Sequence, residues 1–64
     1  MAFDITEQIA CVKRELAMRE QLYPRWVQAE KMSTTKALDE IHCMRDVLAT
    51  LQRIEAEHRP ELPL

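Results

Sequence analysis

The chain has 64 residues and a formal net charge of −2, and 31% of its residues are charged. A chain below roughly 70–80 residues builds only a small core and usually needs a disulfide, a metal or association with another chain. The absence of glycine argues against a multi-stranded β fold, because tight turns with positive φ normally use glycine. The interspersed charges exclude a broad basic field for nucleic acid, and no apolar run is long enough to span a bilayer.

The first residues and the cysteines indicate the compartment. The first four residues lack the basic and apolar regions of a signal peptide, so we expect a cytoplasmic protein. Cys11 and Cys43 are then expected to be reduced thiols.

A first helix is predicted over about residues 5–30. Asp4 can cap it, and Glu7, three residues later, completes the pattern of a capping box. Pro24 lies inside the helical pattern, where it removes a backbone hydrogen bond and predicts a bend or break. The apolar residues recur mostly at steps of three and four, and they are Ile5, Ile9, Val12, Leu16, Leu22, Tyr23, Trp26 and Val27.

A second helix is predicted over about residues 34–58, with Ser33 or Thr34 as its N-cap. Pro60 ends the helical pattern, and residues 60–64 are expected to form a flexible tail. The apolar residues of this helix are Ala37, Leu38, Ile41, Met44, Val47, Leu48, Leu51 and Ile54.

The short link between the helices predicts an antiparallel hairpin, an all-α fold. If both helices rise equally, facing residues have numbers that add to about 63, so that Val12 faces Leu51 and Leu16 faces Leu48. The apolar arc of each helix is wider than one partner helix can cover. We therefore expect a homodimer that forms a four-helix bundle.

Arg19 lies in the centre of the first helix's apolar arc, with Glu15 one turn before it. Arg45 flanks the apolar arc of the second helix near the same level. We interpret Glu15, Arg19 and Arg45 as a buried polar layer that fixes the register, because charges on a core face must be paired. The alternative is a ligand-binding role for Arg19.

The segment around Pro24 is the second unusual feature. Tyr23 and Trp26 point toward the apolar face, so they form either an aromatic plug at the turn end or an exposed anchor for a partner. Because tyrosine, tryptophan and arginine are the common anchors of interfaces, our partner-binding hypothesis names Tyr23, Arg25, Trp26 and Lys31.

The sequence predicts no catalytic residues, no cofactor and no metal site. Asp39 and His42 have an acidic-x-x-His spacing, but they lie on the outer face and lack counterparts on the first helix. Cys11 and Cys43 do not meet in the predicted register. A phosphate loop rich in glycine is impossible without glycine, and no Ser/His/Asp constellation can be placed, so we expect no enzyme.

Four stretches carry a resemblance. Residues 11–19 read Cys-Val-Lys-Arg-Glu-Leu-Ala-Met-Arg, and residues 23–27 read Tyr-Pro-Arg-Trp-Val. Residues 32–33 read Met-Ser, and residues 39–41 read Asp-Glu-Ile. The chain resembles, over about residues 10–55, a group of small phage and prophage proteins of proteobacteria with a Lys-Arg-Glu-x-Ala-Met-Arg stretch followed by Tyr-Pro-Arg-Trp-Val. The resemblance implies a phage-derived accessory protein in a bacterial cytoplasm, and it carries over no functional residues.

The sequence thus favours a small non-enzymatic interaction protein, a dimeric helical adaptor or modulator of a host or phage protein. The alternative is an RNA-binding hairpin dimer whose architecture resembles that of plasmid copy-number regulators. Lys13, Arg14 and Arg25 are candidates for a basic strip that binds RNA. It is interrupted by Glu7, Glu20 and Glu30. Binding that weakens steeply as the salt concentration rises distinguishes RNA binding from protein binding.

Overall fold

The computed structural model describes residues 2–58, which form two helices, α1 (Ile5–Gln28) and α2 (Thr34–His58). The helices pack against each other as a hairpin, which confirms the all-α two-helix fold predicted from the sequence. The tail predicted over residues 60–64 lies outside the described residues.

The predicted capping box is present at the start of α1. Asp4 Oδ1 accepts a hydrogen bond of 2.8 Å from the Glu7 backbone N–H, and the Asp4 N–H donates to Glu7 Oε1 at 3.4 Å. These bonds satisfy donors that the start of a helix leaves without a partner. The helix then continues through Pro24 to Gln28, so the proline does not break it. Proline removes only its own N–H, and the turn that follows keeps its hydrogen bonds.

A Schellman motif ends α1. Ala29 is the C-cap, and Glu30 adopts the left-handed conformation with φ 61°. The Glu30 N–H donates to the Val27 carbonyl at 3.0 Å, and the Lys31 N–H donates to the Trp26 carbonyl at 2.8 Å. The motif reverses the chain without glycine, but it holds a residue with a Cβ in a conformation that glycine adopts more readily.

Ser33 is the N-cap of α2. Its Oγ accepts a hydrogen bond of 3.1 Å from the backbone N–H of Lys36, as a capping serine does. The chain between the two caps is short, so α2 returns antiparallel along α1.

Side-chain contacts between the helices define their register. The numbers of the paired residues add to 59, 61 and 65, whereas the predicted sum is 63. A side chain that contacts a residue one helical turn away from the one directly opposite changes this sum by three or four, so all three contacts agree with the predicted register to within one turn. The contacts join Arg19 to Glu40, Thr6 to Glu55, and Glu20 to Arg45.

The core of the hairpin is small. Among the described residues only Ile9, Ala37 and Ile41 are buried, and the other apolar residues that face the partner helix remain partly accessible. Two helices in contact along one stripe cannot enclose a wider apolar arc. The fold therefore leaves apolar surface uncovered on both helices.

Candidate functional site

Arg19 joins the two helices near the middle of the hairpin. Its Nε donates to Glu15 Oε1 at 2.9 Å, and its Nη1 donates to the Glu40 backbone carbonyl at 3.0 Å and to Glu40 Oε2 at 3.3 Å. The Arg19 side chain is only 17% exposed. Because the guanidinium donors have fixed partners on both helices, this group orders the contact between α1 and α2.

Neighbouring charges stabilise the ionised forms in this cluster. The hydrogen bond from Lys36, at 2.9 Å, and its positive charge lower the pKa of Glu40, and the charge of Arg19 contributes less. The same hydrogen bond raises the pKa of Lys36. The hydrogen bond to Glu15 raises the pKa of Arg19, although partial burial opposes this shift. These shifts favour the ionised forms of Arg19, Lys36 and Glu40.

The structure brings two members of the predicted polar layer together and places the third elsewhere. Glu15 and Arg19 form an ion pair, whereas Arg45 Nη2 contacts Glu20 Oε2 at 2.6 Å and its side chain is exposed. Glu40 takes the position on α2 beside Arg19. Glu40 is not one of the predicted members of the layer, but its spacing of four residues after Lys36 indicates a paired carboxylate on the helix.

The aromatic residues stack on one another at the turn end of α1. The ring centroids of Tyr23 and Trp26 are 5.4 Å apart with an interplanar angle of 28°. The guanidinium carbon of Arg19 lies 5.9 Å from the centroid of the Tyr23 ring, within the range of a cation–π contact. Tyr23 is half-buried, whereas Trp26 is 38% exposed, so in the single hairpin the tryptophan is not part of the core.

Arg25 lies between the two aromatic residues in the sequence, and Lys31 follows Trp26 by five residues. Both cations are exposed, and neither forms an ion pair within 4 Å with another residue of the range 2–58. The structure thus places the residues of the partner-binding hypothesis at one end of the hairpin. We call this set the turn-end surface, and its members are Tyr23, Arg25, Trp26 and Lys31.

A broad groove of about 750 Å³ lies on the other half of α1. It extends over about the first three turns of that helix and reaches α2 at Val47 and Leu51. We call it the α1 groove, and its lining residues are Phe3, Glu7, Gln8, Ala10, Cys11, Val12, Arg14, Val47 and Leu51. Because most of these side chains are apolar or small, the groove suits an occupant that is mainly apolar.

The structure assembles no metal-binding group from the described residues. Cys11 and Cys43 are exposed free thiols, and Asp39 and His42 are exposed on α2. Within residues 2–58, neither helix combines the length and apolar character needed to cross a membrane.

Comparison with protein families, curated proteins and solved structures finds no match to this chain.

Proposed function

We propose that this chain is a small non-enzymatic interaction protein of phage or prophage type, a homodimeric helical adaptor or modulator that binds a cytoplasmic partner protein. The observation that carries the proposal is the apolar surface that the hairpin leaves uncovered. Five large apolar residues of the described range are exposed, whereas three smaller or aliphatic residues form its buried core. The exposed residues are Phe3, Met18, Trp26, Leu38 and Val47.

Dimerisation would supply the burial that the single hairpin lacks. Complete burial of one large apolar side chain contributes roughly 1.5–3 kcal/mol, so burial of two or three such residues would add several kcal/mol to the stability of one hairpin. A four-helix bundle formed by two hairpins is the simplest arrangement that covers the apolar surface that each helix leaves exposed in the single hairpin.

The turn-end surface is the proposed contact with the partner protein. An exposed tryptophan stacked on tyrosine offers a rigid apolar contact, and it has two free cations beside it in the chain. Such combinations of aromatic and arginine side chains anchor protein interfaces. We therefore expect the partner to present an apolar pocket with acidic residues at its edge.

Capture from bacterial lysate tests this function. Purified protein is immobilised, and the retained proteins are compared for the parent, Arg25→Glu and Arg53→Glu. Arg53 is also an exposed arginine and lies near the opposite end of the hairpin, so its reversal controls for net charge. We expect Arg25→Glu alone to abolish capture while leaving helicity unchanged. Equal capture by all three proteins contradicts the role of the turn end.

RNA is the second candidate partner, because Lys13, Arg14 and Arg25 are exposed and form no ion pairs among the described residues. Nuclease treatment of the lysate separates the two functions. Capture that disappears after nuclease treatment and weakens steeply with salt supports RNA binding and contradicts the adaptor function.

A further inference from the structure

The lining of the α1 groove includes one acidic and one basic residue of the same helix. Glu7 and Arg14 are seven residues apart, which places them two turns apart on one face, about 10.5 Å along the axis. Cys11 lies between them on that face. Within residues 2–58, neither Glu7 nor Arg14 forms an ion pair.

This pattern of charges is complementary to itself in only one orientation. In a parallel arrangement, glutamate would face glutamate and arginine would face arginine, and like charges directly opposed are unfavourable. In an antiparallel arrangement each glutamate faces an arginine. A two-fold interface has this property, since residue i contacts residue j and j contacts i.

We propose that α1 of a second copy of this chain occupies the α1 groove, antiparallel to the first, with the two-fold axis passing beside Cys11. Glu7 then pairs with the partner's Arg14, and Arg14 pairs with the partner's Glu7. The two Cys11 thiols face each other near the axis. The inference rests on the homodimer of the proposed function and specifies which surface forms it.

Exposed apolar residues in and beside the groove fit the same arrangement. A two-fold axis between residues 10 and 11 brings Phe3 of one chain level with Met18 of the other. These residues are 62% and 47% exposed in the single hairpin, and Val47 on the α2 side of the groove is 41% exposed. The arrangement also leaves both turn-end surfaces free, at opposite ends of the dimer.

Cross-linking of single-cysteine variants tests the position of the axis. Cys43→Ser retains only Cys11, and Cys11→Ser retains only Cys43; both thiols are exposed, so either change is compatible with folding. Each protein is first shown to be a dimer by sedimentation and is then treated with the thiol oxidant diamide. A disulfide needs Cα atoms about 4.4–6.8 Å apart. We expect a covalent dimer from Cys43→Ser and none from Cys11→Ser.

Charge reversal tests the pairing. Arg14→Glu places like charges opposite each other and should raise the dissociation constant of the dimer by about tenfold or more. Adding Glu7→Lys to Arg14→Glu restores opposite charges and should recover most of the affinity. Lys13→Glu is the matched control, because Lys13 neighbours Arg14 but does not line the groove. Circular dichroism at each concentration separates weaker dimerisation from the loss of the capping box in the double variant.

The outcomes distinguish this inference from the proposed function. A dimer that cross-links through Cys43, or through neither cysteine, contradicts the proposed α1 interface but not the proposed homodimer. Equal weakening by Lys13→Glu and Arg14→Glu overturns the proposed charge pairing. A protein that sediments as a monomer overturns both the interface and the homodimer.

Discussion

The guanidinium of Arg19 on α1 donates a hydrogen bond of 3.0 Å to the backbone carbonyl of Glu40 on α2. A carbonyl within a helix already accepts from the N–H four residues later, so Arg19 uses its second lone pair. The arginine therefore contacts the main chain of the other helix as well as the Glu40 carboxylate. This contact fixes the relative level of the two helices independently of the Glu40 rotamer.

Removal of the Arg19 side chain should destabilise the hairpin. We expect Arg19→Ala to lower the free energy of unfolding by about 1–3 kcal/mol, because charge-assisted hydrogen bonds to both helices are lost together. Urea unfolding at fixed protein concentration measures the change. Arg53→Ala is the control, since Arg53 is 70% exposed and its 3.9 Å pair with Glu57 should contribute little. Equal stability of Arg19→Ala and the parent contradicts a structural role for this arginine.

Glu40 should make stability depend on acid pH. Its lowered pKa means that its contribution is complete above the ordinary glutamate value of 4.5 and is lost as pH falls through the lowered value. The raised pKa of Lys36 acts in the opposite direction, so its contribution is complete below 10.5 and is lost as pH rises further. Between these values the contribution of this pair should be constant.

The Glu40→Gln variant isolates this contribution from that of the other carboxylates. We expect it to unfold at lower urea concentration than the parent at pH 7, and the difference should shrink as pH falls below 4.5. Glu57→Gln, a highly exposed carboxylate near the end of α2, should match the parent throughout. If the difference in urea midpoint between Glu40→Gln and the parent does not change with pH, the charge of the Glu40 carboxylate does not stabilise the hairpin.

Replacement of Glu30 by glycine should stabilise the protein. Glu30 has φ 61°, where a residue with a Cβ is disfavoured by roughly 1–2 kcal/mol and glycine is not. We expect Glu30→Gly to raise the free energy of unfolding by about 1 kcal/mol, or the melting temperature by about 4–8 °C. Gln52→Gly within α2 should instead destabilise by about 1 kcal/mol. A lower melting temperature for Glu30→Gly would contradict the left-handed conformation of this residue.

The helices and their antiparallel pairing could be predicted because the relevant signals are local. Asp4 and Glu7 form the predicted capping box. The sequence predicts Ser33 or Thr34 as the N-cap of α2, and Ser33 is the cap. The left-handed Glu30 could not be read from the sequence, since that conformation normally favours glycine.

Side-chain partners between the helices were harder to predict. Arg19 reaches Glu40 about one turn away from the level expected from the register, whereas Arg45 contacts Glu20. The rotamer and the local packing determine which of several carboxylates within one helical turn a long side chain contacts. The periodicity of the sequence does not contain this information. The homodimer and the turn-end contact stay predictions, because they depend on surfaces outside a single hairpin.

Thermal unfolding at increasing protein concentration, with the mass measured by sedimentation at each concentration, tests the homodimer most directly. Dimerisation stabilises the folded state by mass action, so we expect the melting temperature to rise over a hundredfold increase in concentration while the sedimenting species has twice the chain mass. A monomer at tens of micromolar with a melting temperature that does not change with concentration would contradict the homodimer.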